Sequence, residues 1–172
     1  MVDIVLDSNV LADFLIQYFG PARYGQANFI AQDSISKELS RRINQIIHWH
    51  RWEIEEENTT QYPGLIVVST LAFVEIARQW EIIVDRRFTI EQFAGFIEQP
   101  PEWFVIEPID EHLVEAFSYL PIEILTPSGK IKPIEWTDAV HIATALSRGE
   151  QCLLATTDRR IEQIESLHGR IL

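Results

Sequence analysis

An α/β fold, with a mostly parallel sheet of four or five strands and helices on both faces, is predicted by three features of this chain. Short apolar runs rich in β-branched residues recur; a segment of helical periodicity follows each; and the runs end at polar or acidic residues. Strands that alternate with helices must cross over to reach a parallel neighbour, and the crossovers bury both sheet faces in a three-layer arrangement.

"VDIVLD", residues 2 to 7, is an apolar run ending at an acid, and "NVLADFLIQYF" after it has helical spacing. The pattern breaks around Gly20, Pro21 and Gly25. A long amphipathic helix is expected from about Asp33 to Asn58, with Ile35, Leu39, Ile43, Ile46, His50 and Ile54 at steps of three and four. Its other face carries Lys37, Arg41, Arg42 and Arg51 and then Glu53, Glu55, Glu56 and Glu57, which reads as a solvated face.

"YPGLIVVSTLAFVEIARQW" repeats the unit of turn, strand and helix. "TIEQFAGFIEQ" is helical behind a capping Thr, "PPEWFVIEPI" holds a short strand, and "DEHLVEAFSYL" is a helix with Asp110 at its N-cap. "PIEILTPSGKIKP" reads as a loop. "IEWTDAVHIATAL" is a helix, "CLLATTD" the final strand and "RRIEQIESL" a last helix. No internal repeat or linker divides the chain, so one domain spanning 1–172 is expected, and its length suffices to bury a core.

A lone cysteine, Cys152, excludes an intrachain disulfide and a Cys-based zinc site. The opening residues have no basic leader, and no apolar run reaches the roughly 18 residues of a membrane span, so a cytoplasmic protein with no membrane partner is expected. The formal net charge of -12 excludes a general nucleic-acid coat, which needs a basic surface. Carboxylates that hold divalent cations can still meet a phosphate.

Ligands of parallel α/β sheets bind beyond the carboxyl ends of the strands. Asp7 ends the first strand and Asp158 the last; Glu75 lies early in the helix after "LIVVS", and Asp138 early in the helix that feeds the last strand. Taken singly, Asp7, Asp138 and Asp158 fit turns or helix caps. Glu75 does not, because it interrupts the apolar stretch "TLAFVEIA", where an unpaired carboxylate costs several kcal/mol. Mg²⁺ or Mn²⁺ is the economical partner for four acids at one rim, and metal with acids points to phosphodiester hydrolysis.

Four stretches in this order, "IVLDSNVLADFL", "VSTLAFVEIAR", "TDAVHIATAL" and "LLATTDRRIEQI", resemble the PIN-domain nucleases, and among them the VapC-type toxin ribonucleases of toxin-antitoxin pairs. The resemblance implies a PIN-like fold and metal-dependent endonucleolytic cleavage of RNA, leaving a 5′-phosphate and a 3′-hydroxyl. It assigns Asp7, Glu75 and Asp138 to the principal Mg²⁺ or Mn²⁺, with Asp158 completing the site or holding a second ion. Asn9 and Thr156 match supporting positions that hold the first and last acids or their waters. An RNA substrate, an antitoxin protein and a homodimer are the partners it implies.

Arg78, His141 and Arg159 are the candidate substrate contacts. His141 lies one turn after Asp138 and can orient a carboxylate or touch substrate, although helix packing is its simpler role. Arg78 lies three residues after Glu75, on the same helical side. Arg160, Lys130, Lys132, Arg86, Arg87, Arg41 and Arg42 are the other basic candidates. Setting the four acids aside leaves 22 acidic against 14 basic residues, a net of -8, so an RNA path would be a local basic strip on an acidic body.

The chain departs from a compact PIN toxin by a helical insertion at about 20–64. Trp49, Trp52 and Trp80 suit core packing or an apolar interface. The alternative function is a PIN-like module that binds RNA or protein without cutting. A phosphoaspartate receiver is disfavoured because its late Lys is missing where the last strand ends in Asp158. An aspartate-nucleophile phosphatase is disfavoured because Asn9 stands two residues after Asp7, where that chemistry needs an Asp.

Overall fold

A computed structural model describes residues 2–20, 29–52, 64–78, 88–126 and 129–172. In chain order the elements are β1 (Ile4–Leu6), α1 (Ser8–Phe19), α2 (Lys37–Trp52), β2 (Ile66–Ser69), α3 (Thr70–Arg78), α4 (Ile90–Glu98) and β3 (Phe104–Glu107). They continue with α5 (Glu111–Phe117), β4 (Glu123–Leu125), β5 (Ile131–Pro133), α6 (Trp136–Ser147) and β6 (Leu153–Ala155), followed by 3₁₀ turns at Arg159–Gln163 and Glu165–Leu167. Among the described residues no helix is long and apolar enough to cross a membrane.

The main sheet has four parallel strands in the order β3-β2-β1-β6. Because successive strand residues point to opposite faces, Ile4, Leu6, Ile66 and Val68 pack one way, against Leu11, Phe14, Leu39, Ala72 and Phe96 of α1 to α4. Val5, Val67 and Leu154 pack the other way, against Ile142 and Ala145 of α6 and the 3₁₀ residues Ile161, Ile164 and Leu167. Helices therefore cover both faces, as an all-parallel sheet requires.

Residues 29–52 belong to this core. Ile35, Leu39, Ile43, Ile46 and Ile47 are all buried with the α1 side chains. Gln17 of α1 exchanges two 3.0 Å hydrogen bonds with the backbone of Ile30, and the Asn44 amide of α2 does the same for the backbone of Phe29 at 2.7 and 2.8 Å. The expected start at Asp33 is corrected: Asp33 has φ 49° in a tight turn between Gln32 and Ile35, and α2 begins at Lys37 with the Ser36 hydroxyl accepting from the Leu39 N–H. Residues 53–58, Trp80, Arg86 and Arg87 lie outside the described residues. Arg41 and Arg42 both bind Glu38, the solvated face expected of them.

Two further expectations are corrected. The last helix is two 3₁₀ turns, because Ile161, Ile164 and Leu167 recur at a strict step of three, the period of a 3₁₀ helix. Bonds from Ile164 N–H to Ile161 and from Leu167 N–H to Ile164 carry that pattern. The expected loop at "PIEILTPSGKIKP" holds an antiparallel pair, β4 with β5. Only Ile124 in it is buried inward, so the apolar alternation that marks a strand is too short to see. Asp110 and Thr89 do cap their helices, Thr89 in a reciprocal capping box with Gln92.

Gly64 sets the entry into β2. Its φ is +83°, and a Cβ there would lie 2.5 Å from the Val2 carbonyl oxygen. Gly64→Ala is expected to cost about 2 kcal/mol or more, read by urea unfolding. A cost under about 0.5 kcal/mol would contradict this close approach.

Candidate active site

The strand order reverses at β1: β2 and β3 lie on one side of it and β6 on the other. Loops leaving β1 and β6 must diverge there, and the crevice between their carboxyl ends is the usual ligand position of such sheets. A cleft of about 290 Å³ occupies it. Asp7, Glu75, Asp138 and Asp158, the four acids singled out by sequence, all line this cleft, with Ser8, Asn9, Glu135, Thr137, His141 and Arg160.

Asp7 follows β1 directly, and its N–H donates to the Ala155 carbonyl at 3.1 Å, tying the ends of β1 and β6 together. It is also the N-cap of α1, accepting from the Val10 N–H at 2.8 Å through Oδ1. The capping role and the cleft role coexist because a carboxylate has two oxygens.

Glu75 stands in α3 and is partly covered. Burial pushes its pKa up, but the His141 imidazole hydrogen-bonded to it, with help from the nearby Ser8 and Thr137 hydroxyls, outweighs that and holds it below the ordinary glutamate value. The His141 link runs deeper. Ser69 Oγ accepts from the Ala72 N–H at 3.3 Å, which frees its proton for His141 Nδ1 at 3.2 Å. In the neutral ring, Nδ1 is then the acceptor and Nε2–H donates to Glu75 Oε2 at 3.2 Å. His141, 2% exposed, is thus a buried residue that orients a carboxylate at the wall of the cleft.

Ser69→Ala removes the donor to a buried imidazole and should cost about 1–3 kcal/mol by urea unfolding. A loss below about 0.3 kcal/mol would contradict the Ser69–His141–Glu75 chain.

Asp138 lies in the first turn of α6 and points at the same space. Burial and then the negative charge of Asp158 push its pKa up to about 6, an effect that Arg160 only partly offsets. Asp158 goes the other way: burial raises it, but hydrogen bonds from the Arg160 side chain and backbone hold it below the usual aspartate range. Thr156 accepts from the Asp158 N–H at 3.0 Å and so supports the last acid as expected. Asn9 lines the cleft through an exposed side chain that makes no hydrogen bond to any of the acids.

The basic residues differ from expectation. Arg159 points to solvent with its side chain 77% exposed, paired with Glu162. Arg160 is the residue that enters the cleft. Its Nε lies 2.8 Å from both oxygens of Asp158, and its Nη2 reaches Asp138 at 3.4 Å. Side chains in a 3₁₀ turn are spaced at three per turn, so neighbours diverge by about 120° and only one of two adjacent arginines can face inward. Arg78 sits exposed at the end of α3, about 4.5 Å along the axis from Glu75 and away from the rim.

Sequence reading missed Ser8, Ser69, Thr137 and Glu135. The first three are ordinary hydroxyls at helix or strand ends, with no signal beyond their proximity to the motifs.

No protein-family model matches the chain, and no curated protein or solved structure matches it at a significant level.

The donor set suits a hard divalent cation in kind, since its members are carboxylates from separate segments. Among the described residues, no three His, Cys, Asp or Glu side chains converge closely enough to form a ready ligand group. Glu75 is held by His141, Asp7 caps α1, and Asp158 is held by Arg160, whose guanidinium bridges Asp158 and Asp138 with a single positive charge. Among the described residues, five carboxylates and one guanidinium line the cleft, so a phosphate would need further positive charge to approach it.

Proposed function

We propose that this chain is a metal-dependent endoribonuclease of the PIN-domain kind, similar to the VapC-type toxins. The observation that carries the proposal is the meeting of Asp7, Glu75, Asp138 and Asp158 in one cleft at the sheet's switch point. Burying that much like charge costs stability, and a site that retains it needs a cationic ligand.

Asp7, Glu75 and Asp138 would hold Mg²⁺ or Mn²⁺, and Asp158 would complete the site. Such an ion supplies charge that acidifies water and neutralises the oxygens of a phosphodiester undergoing cleavage. The chain's own contribution is orientation. Ser69 fixes His141, and His141, Ser8 and Thr137 fix Glu75 as an ionised carboxylate. Asp138, whose pKa is raised to about 6, would hold the ion as its carboxylate, the form that prevails at neutral pH. An antitoxin partner and a homodimer belong to the same reading.

Incubation of the protein with total RNA and Mn²⁺ tests the proposal. Cleavage should leave 5′-phosphate and 3′-hydroxyl ends, stop with EDTA, and fall on the order of 10²-fold in Glu75→Gln. Cleavage that survives both EDTA and that substitution would rule the assignment out. One observation favours a second reading: Arg160 already pairs with two of the acids. A non-catalytic module that binds RNA or protein would show binding without cleavage, indifferent to Mn²⁺.

A further inference from the structure

We infer that Arg160 is a built-in latch on the candidate metal site, a counter-ion that a divalent cation must displace before Asp138 and Asp158 can serve it. The inference rests on the metal-site reading above and concerns how that site is controlled.

Three observations carry it. Among the described residues lining the cleft, Arg160 is the only arginine or lysine, and the His141 imidazole is turned to Glu75. Its guanidinium engages both oxygens of Asp158 and also reaches Oδ2 of Asp138, so it spans the two acids that would have to accept a metal there. Its backbone is committed as well: the Arg160 N–H donates to Asp158 Oδ1 at 2.9 Å, so the side chain starts from a fixed point beside its target.

The latch costs little to hold and can be released. The Arg160 side chain is 31% exposed, so its head can leave the acids for water while its backbone stays in the 3₁₀ turn. A planar fork fits a carboxylate through two parallel hydrogen bonds, a geometry that the point charge of lysine cannot reproduce. Displacement therefore breaks charge-assisted bonds that a metal has to outbid, and apparent metal affinity in the intact protein is lower than the acids alone would give. Arg159, its chain neighbour, carries the same charge but faces away, paired with Glu162.

Calorimetric titration of Mn²⁺ into wild type, Arg160→Gln, Arg160→Lys and Arg159→Gln tests the latch, each protein first shown folded by circular dichroism in EDTA. Arg160→Gln should bind Mn²⁺ about tenfold tighter than wild type, with Arg160→Lys between them. Arg159→Gln should stay within about twofold, since it removes only an exposed pair. Binding by Arg160→Gln where wild type shows none would support the latch equally.

Unchanged or weaker binding by Arg160→Gln beside a wild type that binds would overturn the latch and leave the metal site standing. Equal tightening in Arg159→Gln would overturn it too, by reducing the effect to net charge. Absence of Mn²⁺ binding in all four proteins would overturn the metal-site reading, and the latch with it.

Discussion

Asp138→Asn is expected to make the metal-free protein more stable while removing its response to metal. The carboxylate of Asp138 is raised to about 6 by burial and by Asp158, so at neutral pH the fold carries a charge that it disfavours. A shift of that size corresponds to about 3 kcal/mol, and we discount it to about 2 kcal/mol because the side chain is roughly a quarter exposed. For a chain of this length that is about 4–8 °C in melting temperature in EDTA. With excess Mn²⁺ the order should reverse, because wild type gains binding energy that the variant cannot. A variant less stable than wild type in EDTA would contradict the account of Asp138 as a strained acid.

The second large effect is on pH. An acid raised in the folded state binds more protons there than in the unfolded chain. The stability owed to Asp138 is therefore fully present below the unfolded value of 3.8 and is lost as pH rises through about 6. Metal binding has the opposite slope, since the ion competes with that proton. Mn²⁺ affinity should be roughly tenfold weaker near pH 5 than near pH 7, with about one proton released per ion in the acidic range. Calorimetry in buffers of different ionisation enthalpy reads the proton count, and a count of zero near pH 5 would remove Asp138 from the site.

The acids were legible in the sequence because the strands were. Once "VDIVLD" and "CLLATTD" are read as parallel strands, Asp7 and Asp158 fall at their carboxyl ends by counting alone. Glu75 and Asp138 follow because each interrupts an apolar helical stretch. The arginines were not legible. Choosing Arg160 over Arg159 depends on whether the segment after β6 is an α-helix or a 3₁₀ turn, and a charged pair at adjacent positions carries no periodicity to decide it.

Arg78 lies outside the cleft for a related reason. A step of three shares a helical side but also advances along the axis, and the direction of α3 away from the rim turns that advance into distance. The role of His141 was half visible: its spacing from Asp138 marked it, but its partners Ser69 and Glu75 lie 72 and 66 residues away and meet it only through the sheet. The β4–β5 pair was hidden because its strands are three residues each and one residue in them is buried.

The central claim is that acids from four separated segments act as one cation site. Titrating Mn²⁺ into wild type beside Asp7→Asn, Glu75→Gln and Asp138→Asn, each folded, tests it most directly. The account predicts binding by wild type and its loss or severe weakening in every one of the three variants. Binding that survives any two of these substitutions unchanged would mean that the shared cleft is not a shared site.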